Sequence, residues 1–212
     1  MQPPPPVTRA LLIACTILLF IGQIPALQAL EWHWLALHPL LVGFWPWQVV
    51  TYAFVHNDVM HWLVNMLLLY FFGSQLEEIW GERRFIQYVA ASGLMAAAAY
   101  LLLTFLLRAP FPLDGASGIG YGMLVAFGVL FPNRRILLFF VADVSMRDAV
   151  LIFVGIEVFL GLGNFFTGSG AWISDLAHLG GALGGYLMIL YWRWRPPSFK
   201  RKKPPVHIRR VH

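Results

Sequence analysis

The 212-residue chain is 59% hydrophobic and only 12% charged, with a mean hydropathy of +0.68. A soluble domain carries about twice that charged fraction, so the composition excludes an ordinary soluble enzyme and predicts a single polytopic membrane domain. The lone cysteine, Cys15, excludes a disulfide framework and a cysteine-rich zinc site. The net charge of +5 does not point to nucleic acid, because eight of the fifteen Lys and Arg residues lie in the last twenty positions. A basic tail directly after an apolar helix is a cytoplasmic topology anchor that touches anionic lipid.

In chain order, charges punctuate apolar runs. Between Arg9 and Glu31 lie 21 uncharged residues; Asp58 and Glu77 enclose 18, Arg84 and Arg108 enclose 23, Asp114 and Arg134 enclose 19, and Asp175 and Arg193 enclose 17. Residues 149–166 hold one charge, Glu157. A spanning helix needs about 20 largely apolar residues, so the fold class is all-α with six transmembrane helices. Residues 1–9 are expected as a cytoplasmic tail, 10–194 as the membrane domain and 195–212 as a basic cytoplasmic tail. The first helix has no convincing cleavage site and is expected to be retained.

Residues 32–57 are also uncharged, but they hold Pro39, Pro46, His33, His38, His56, Trp32, Trp34, Trp45 and Trp47. Prolines break helices and tryptophans favour the membrane interface. The segment is expected to be a membrane-embedded loop between helices 1 and 2. With six spans and both termini cytoplasmic, fourteen Lys and Arg residues fall inside and only Arg108 falls outside. A seventh span would scatter them against the positive-inside rule.

This parity gives the second, fourth and sixth helices a common start on the outer side. The second begins near Asp58 and carries His61 and Asn65, four apart and on one face. The fourth begins at Ser117, in Gly115-Ala116-Ser117-Gly118, and the sixth begins near Asp175 and carries His178. At about 1.5 Å per residue, these polar groups share a depth just below the outer surface. The pairs Gly118/Gly122 and Gly181/Gly185 have the small-xxx-small spacing of close helix approach. Packing through them brings Ser117 to His178, a nucleophile to its base. Asn65 and His61 then offer donors to an oxyanion, each worth about 3–4 kcal/mol of transition-state stabilisation.

Plainer readings compete. Ser117 could cap its helix, and Asp175 with Ser174 is expected to cap the last one, a third triad member being its alternative. Glu157 is expected to hydrogen-bond a neighbouring helix or to snorkel, a gate or proton-active residue being its alternative, and Glu77 is expected to pair with Arg83 or Arg84. By ligand type His56, His61 and His178 could hold a metal. The His-Glu-x-x-His segment of many zinc proteases is absent, so no metal or other cofactor is expected.

Taken together the motifs resemble the rhomboid family of intramembrane serine proteases. His56-x4-His61-x3-Asn65, Gly73-x3-Glu77-x3-Gly81, Gly115-Ala116-Ser117-Gly118 with Tyr121, and Ala177-His178-Leu179-Gly180-Gly181 with Gly185 occur in the family's order on alternate helices. The resemblance implies Ser117 as nucleophile and His178 as base of a dyad without an aspartate. It further implies oxyanion assistance from His61 and Asn65, Tyr121 packed against His178, and His56 as a structural residue in the site's roof. The family often has Trp-Arg where this chain has Trp47-Gln48, which bears on loop anchoring. The implied substrates are transmembrane proteins cut in or near a membrane helix at a small residue. The implied location is the cell (inner) membrane, with the site open to the extracytoplasmic side. The alternative function is a catalytically inactive rhomboid-like scaffold or dislocation factor, whose known kind lacks the serine or histidine. A small transporter is disfavoured, since intramembrane charges are too few for coupling.

Overall fold

A computed structural model describes residues 3–41, 43, 45–107, 111–138, 141–167 and 172–194. Arg108 and the basic tail lie outside the described residues. Helix α1, Pro6–Gly22, starts four residues before the expected boundary. Proline suits a first helical turn because it has no N–H to leave unpaired. The next donors are met by the Glu77 carboxylate, which accepts from the Val7 N–H at 2.9 Å, the Thr8 N–H at 2.7 Å and the Thr8 hydroxyl at 2.8 Å. Glu77 therefore caps α1 and does not pair with Arg83 or Arg84; Arg84 instead lies 5.0 Å over the Trp192 ring.

The expected first helix, continuous to residue 30, breaks before Pro25. Ile24 is extended at ψ 112°, as the residue before a proline prefers, and a second helix, α2, runs Pro25–Leu35. The Trp-rich segment then holds one short helix, α3 (Gln48–Thr51), followed by a 3-10 turn, Tyr52–Phe54. Gln48 is fully buried and ties this segment together. Its Oε1 accepts from the His38 N–H at 3.1 Å and its Nε2 donates to the His33 carbonyl at 3.0 Å. The departure at Trp47-Gln48 thus supplies an anchor through an uncharged amide. A two-way backbone bridge, Leu37 with Leu113, pins the segment to the chain entering the fourth apolar run.

Helix α4 (Val59–Leu68), a π-helical turn (Leu69–Gly73) and α5 (Ser74–Trp80) form one continuous rod. Gly81 turns the chain at φ 76° into α6, Glu82–Leu107. Next come α7 (Ser117–Leu130), an antiparallel hairpin of β1 (Arg135–Leu138) and β2 (Ala142–Ser145), α8 (Met146–Phe166) and α9 (Trp172–Trp194). The hairpin is an addition to the all-helical expectation. Arg135 holds it by an ion pair to Asp143 at 3.0 Å.

Four rods are long and apolar enough to cross a membrane: Val59–Trp80, Glu82–Leu107, Met146–Phe166 and Trp172–Trp194; α1 and α7 are apolar but shorter. Helix α7, with 14 residues, rises only about 21 Å, some 10 Å less than a hydrocarbon core of about 30 Å.

Glycine sets the packing of α9 between α6 and α7. A Cβ on Gly180 would lie 2.6 Å from the Ala99 methyl, and one on Gly184 2.6 Å from the Ala91 carbonyl oxygen, both on α6. On the other face, a Cβ on Gly181 would enter the backbone of Gly118, and one on Gly185 would lie 3.0 Å from the Gly122 Cα. The α7–α9 seam is the one expected from spacing. The equally tight α6–α9 seam comes from an alanine-rich face of α6 that offers no obvious glycine pair.

Candidate active site

The polar groups converge at one end of this packing. Gly115, at φ +95°, makes a turn that favours glycine, and its N–H donates to the Tyr52 carbonyl at 2.9 Å. Ala116 takes the N-cap position of α7 and Ser117 is its first helical residue. Ser117 therefore does not cap the helix. Its Oγ lies 2.7 Å from His178 Nε2. The glycine seam explains this distance, since Gly118 and Gly181, one and three residues along from the pair, meet at backbone level. Gly118 is also closed in by α6, where a Cβ would lie 2.6 Å from the Ala96 methyl.

Two groups hold the His178 ring. Tyr121, one turn after Ser117, stacks on it with centroids 4.9 Å apart and planes 9° apart. Glu157 of α8 places Oε2 2.9 Å from His178 Nδ1, and its Oε1 accepts from the Tyr121 hydroxyl. With Nδ1–H directed at a carboxylate, the Nε2 lone pair faces the serine hydroxyl, the tautomer a general base requires.

On the other side of Ser117, Asp58 caps α4 by accepting the His61 N–H at 2.8 Å. The Asn65 amide nitrogen donates to the His61 carbonyl at 3.0 Å. Both side chains crowd Gly115: a Cβ there would lie 2.5 Å from His61 Nε2 and 3.6 Å from Asn65 Nδ2. Asp114 steadies this arrangement, facing His61 Nδ1 at 3.4 Å and accepting the Asn57 N–H at 3.0 Å. Asp114 is not singled out by any motif in the sequence. Its only signal was a single acid placed directly before the glycine of the serine motif.

His56 is buried behind Ala116. Its Nδ1 donates to the Phe54 carbonyl at 3.2 Å, and its Nε2 accepts the Ala116 N–H at 3.5 Å. Burial, reinforced by the neighbouring His61, pushes its pKa down to about 4 and keeps the ring neutral at pH 7. It thus props the turn that presents Ser117.

Asp175 sits inside the first turn of α9, which begins three residues earlier at Trp172. Its Oδ2 accepts from the Asn164 amide of α8 at 3.0 Å; residues 168–171, on which the expected cap bears, lie outside the described residues. Among the described residues, the one cluster with ligand atoms close enough to share an ion is Glu157, Asp175 and His178, all within 4.8 Å. The His56, His61 and His178 set does not form among the described residues, because both His56 ring nitrogens meet backbone groups and His61 faces the Asp114 carboxylate.

The family model described as the rhomboid domain matches residues 44–195. The chain is 27% identical over 145 residues to "Rhomboid protease GluP" of Bacillus subtilis, covering 68% of this chain and 25% of that one. It is 32% identical over 162 residues to "Presenilin-associated rhomboid-like protein A, mitochondrial" of Danio rerio, covering 72% and 40%. It is 24% identical over 193 residues to "Rhomboid protease GlpG" of Yersinia pestis, covering 88% and 62%. In each case the match spans less than two thirds of the relative's own length. With the domain match covering well over half of its length and its apolar helices able to cross a bilayer, the chain is a multi-pass membrane protein and belongs to the rhomboid family.

Proposed function

We propose that this protein is an intramembrane serine endopeptidase that cleaves transmembrane protein substrates in or near their membrane helices. The observation that carries the reading is the 2.7 Å approach of Ser117 Oγ to His178 Nε2 at the first residue of a short helix. His178 takes the serine proton as Oγ bonds to the scissile carbonyl carbon. The resulting oxyanion meets the positive end of α7 and the donors of Asn65 and His61. The tetrahedral intermediate collapses as His178 passes that proton to the departing amine. Water, deprotonated by the same imidazole, then releases the acyl group as a carboxylate and restores Ser117. A substrate helix must unwind locally to be cut, because its carbonyls are otherwise held in hydrogen bonds.

Six membrane crossings, both termini cytoplasmic and a site opening on the extracytoplasmic face of the cell (inner) membrane complete the reading. Helix ends support it. The start of α1 meets Glu77 near the end of α5, and Arg134, after α7, donates to Gln75 of α5 at 2.7 Å. Arg9, Arg83, Arg84 and Arg134 therefore gather at the end opposite Ser117. The basic composition of residues 195–212 suits contact with anionic lipid.

The test is cleavage of a tagged single-helix substrate in liposomes. Ser117→Ala and His178→Ala should each reduce turnover by about 10⁴-fold or more, and a metal chelator should leave the wild type unaffected. Cleavage surviving both substitutions would sink the assignment. A wild type that binds such helices without cutting them would favour the inactive scaffold.

A further inference from the structure

Glu157 is the one charged residue of α8 beyond Asp148, and its side chain is only 8% exposed. Of the residues of α8, only Met146, Ala149 and Glu157 are buried, so the helix contributes few side chains to the interior and one of them is an acid. Carboxylates at such depth are expensive and are kept for a task. Both oxygens of Glu157 are engaged at the site, Oε2 by His178 Nδ1 and Oε1 by the Tyr121 hydroxyl. Tyr121 also stacks on the His178 ring. The imidazole is thus fixed in plane by Tyr121 and in rotation by Glu157, while Tyr121 fixes Glu157 in turn.

We infer that Glu157 is a positioning residue for proteolysis, so that this chain works through a Ser117–His178–Glu157 triad, not a dyad. The inference rests on the proposed protease reading. Two consequences follow from the geometry. Nδ1–H held by the carboxylate keeps the Nε2 lone pair on Ser117 Oγ throughout the approach of substrate. When Nε2 takes the serine proton, the new positive charge forms beside an anion in a water-poor site, where the attraction is stronger than in water. No proton moves to Glu157; it remains a carboxylate through both half-reactions. Asp175, also near, is committed elsewhere, since its Oδ2 accepts the Asn164 amide within the α8–α9 contact.

The test compares wild type, Glu157→Gln and Glu157→Asp as full-length protein in liposomes. It reads kcat and KM on a helical substrate, the rate of Ser117 modification by a fluorophosphonate, and Tm. The triad carboxylate of soluble serine proteases is worth about 10⁴-fold in kcat. Here Glu157→Gln should lower kcat by about 10²-fold or more and slow fluorophosphonate modification in parallel, with KM within about twofold. Glu157→Asp, which keeps the charge on a shorter arm, should recover at least about tenfold of that loss. The inference is overturned if Glu157→Gln keeps wild-type kcat. It is equally overturned if kcat falls only with Tm and Glu157→Asp is no better, or if a chelator abolishes wild-type turnover and zinc restores it. A wild type inert toward both substrate and fluorophosphonate would overturn the protease reading itself, a result distinguishable from an active enzyme indifferent to Glu157.

Discussion

Helices α8 and α9 are neighbours of similar length, yet 44% of the apolar window of α9 is buried and only 11% of that of α8. The difference lies in side-chain size. Helix α9 presents Gly180, Gly181, Gly184 and Gly185, which let α6 and α7 approach at backbone distance. Helix α8 presents large groups outward, with Phe159 75% and Phe166 81% exposed, as suits a lipid-facing surface. Close backbone packing fixes the Ser117–His178 distance, because a seam without side chains leaves nothing to re-pack. Helix α8 joins that part at its start through Met146, Val150 and Phe153, with Val150 closing on Gly128 of α7, and further along through Glu157 and the Asn164–Asp175 hydrogen bond. The rigid seam holds nucleophile and base, and the lightly packed helix supplies the carboxylate behind the base.

The sharpest way to break this comparison is to place the same side chain in both helices. Gly181→Val drives a branched side chain into the Gly118 backbone. It should lower turnover by more than about 10²-fold, the cost of a misplacement of about 1 Å, and Tm should fall by about 5 °C or more. Gly155→Val in α8, where a Cβ meets nothing within 4 Å, should leave both readings near wild type. Equal damage from the two would show that α8 is packed as tightly as α9.

A smaller effect comes from α4. Asn65→Ala removes a donor from the proposed oxyanion site while the Gly115 turn and the seam stay intact. Turnover should fall by about 10²-fold with little change in KM, and steady-state kinetics on the helical substrate measures it. An unaltered kcat would remove Asn65 from the chemistry.

The smallest expected effect is a pH dependence of stability from His56, whose ionisable neighbours are His61, Asp114 and Asp58. Its pKa is depressed from the ordinary 6.5 to about 4 in the folded protein. The unfolded chain therefore takes up the proton first as pH falls. This contribution is fully present above about pH 6.5 and is lost as pH drops toward about 4, lowering Tm by roughly a few degrees. In His56→Gln that part of the slope should vanish. A slope identical to that of the wild type would assign it to other groups.

Much of this arrangement was legible in the residues. Glycines four apart beside Ser117 and beyond His178 announced the α7–α9 seam, because small-residue spacing reports helix contact directly. The convergence of His61, Asn65, Ser117 and His178 was expected from charge counting, which starts their three helices on one side. That Glu157 hydrogen-bonds a neighbouring helix was legible, but which partners it meets was not, because a single charge in an apolar run does not reveal which way its helix is turned. Its partners lie 36 and 21 residues away. Glu77 was assigned an arginine close in sequence, but Gly81 turns the chain and the carboxylate faces the start of α1, about 70 residues back. The break before Pro25 was written in the proline, yet the unbroken run of apolar residues masked it.

The central claim is that Ser117 is activated by His178, and covalent capture tests it most directly. The purified full-length chain is exposed to a fluorophosphonate, digested and mapped by mass spectrometry. The account predicts one phosphonylated residue, Ser117, and no adduct after the same exposure in His178→Ala. An adduct on another serine, no adduct on Ser117, or equal labelling without His178 would contradict it.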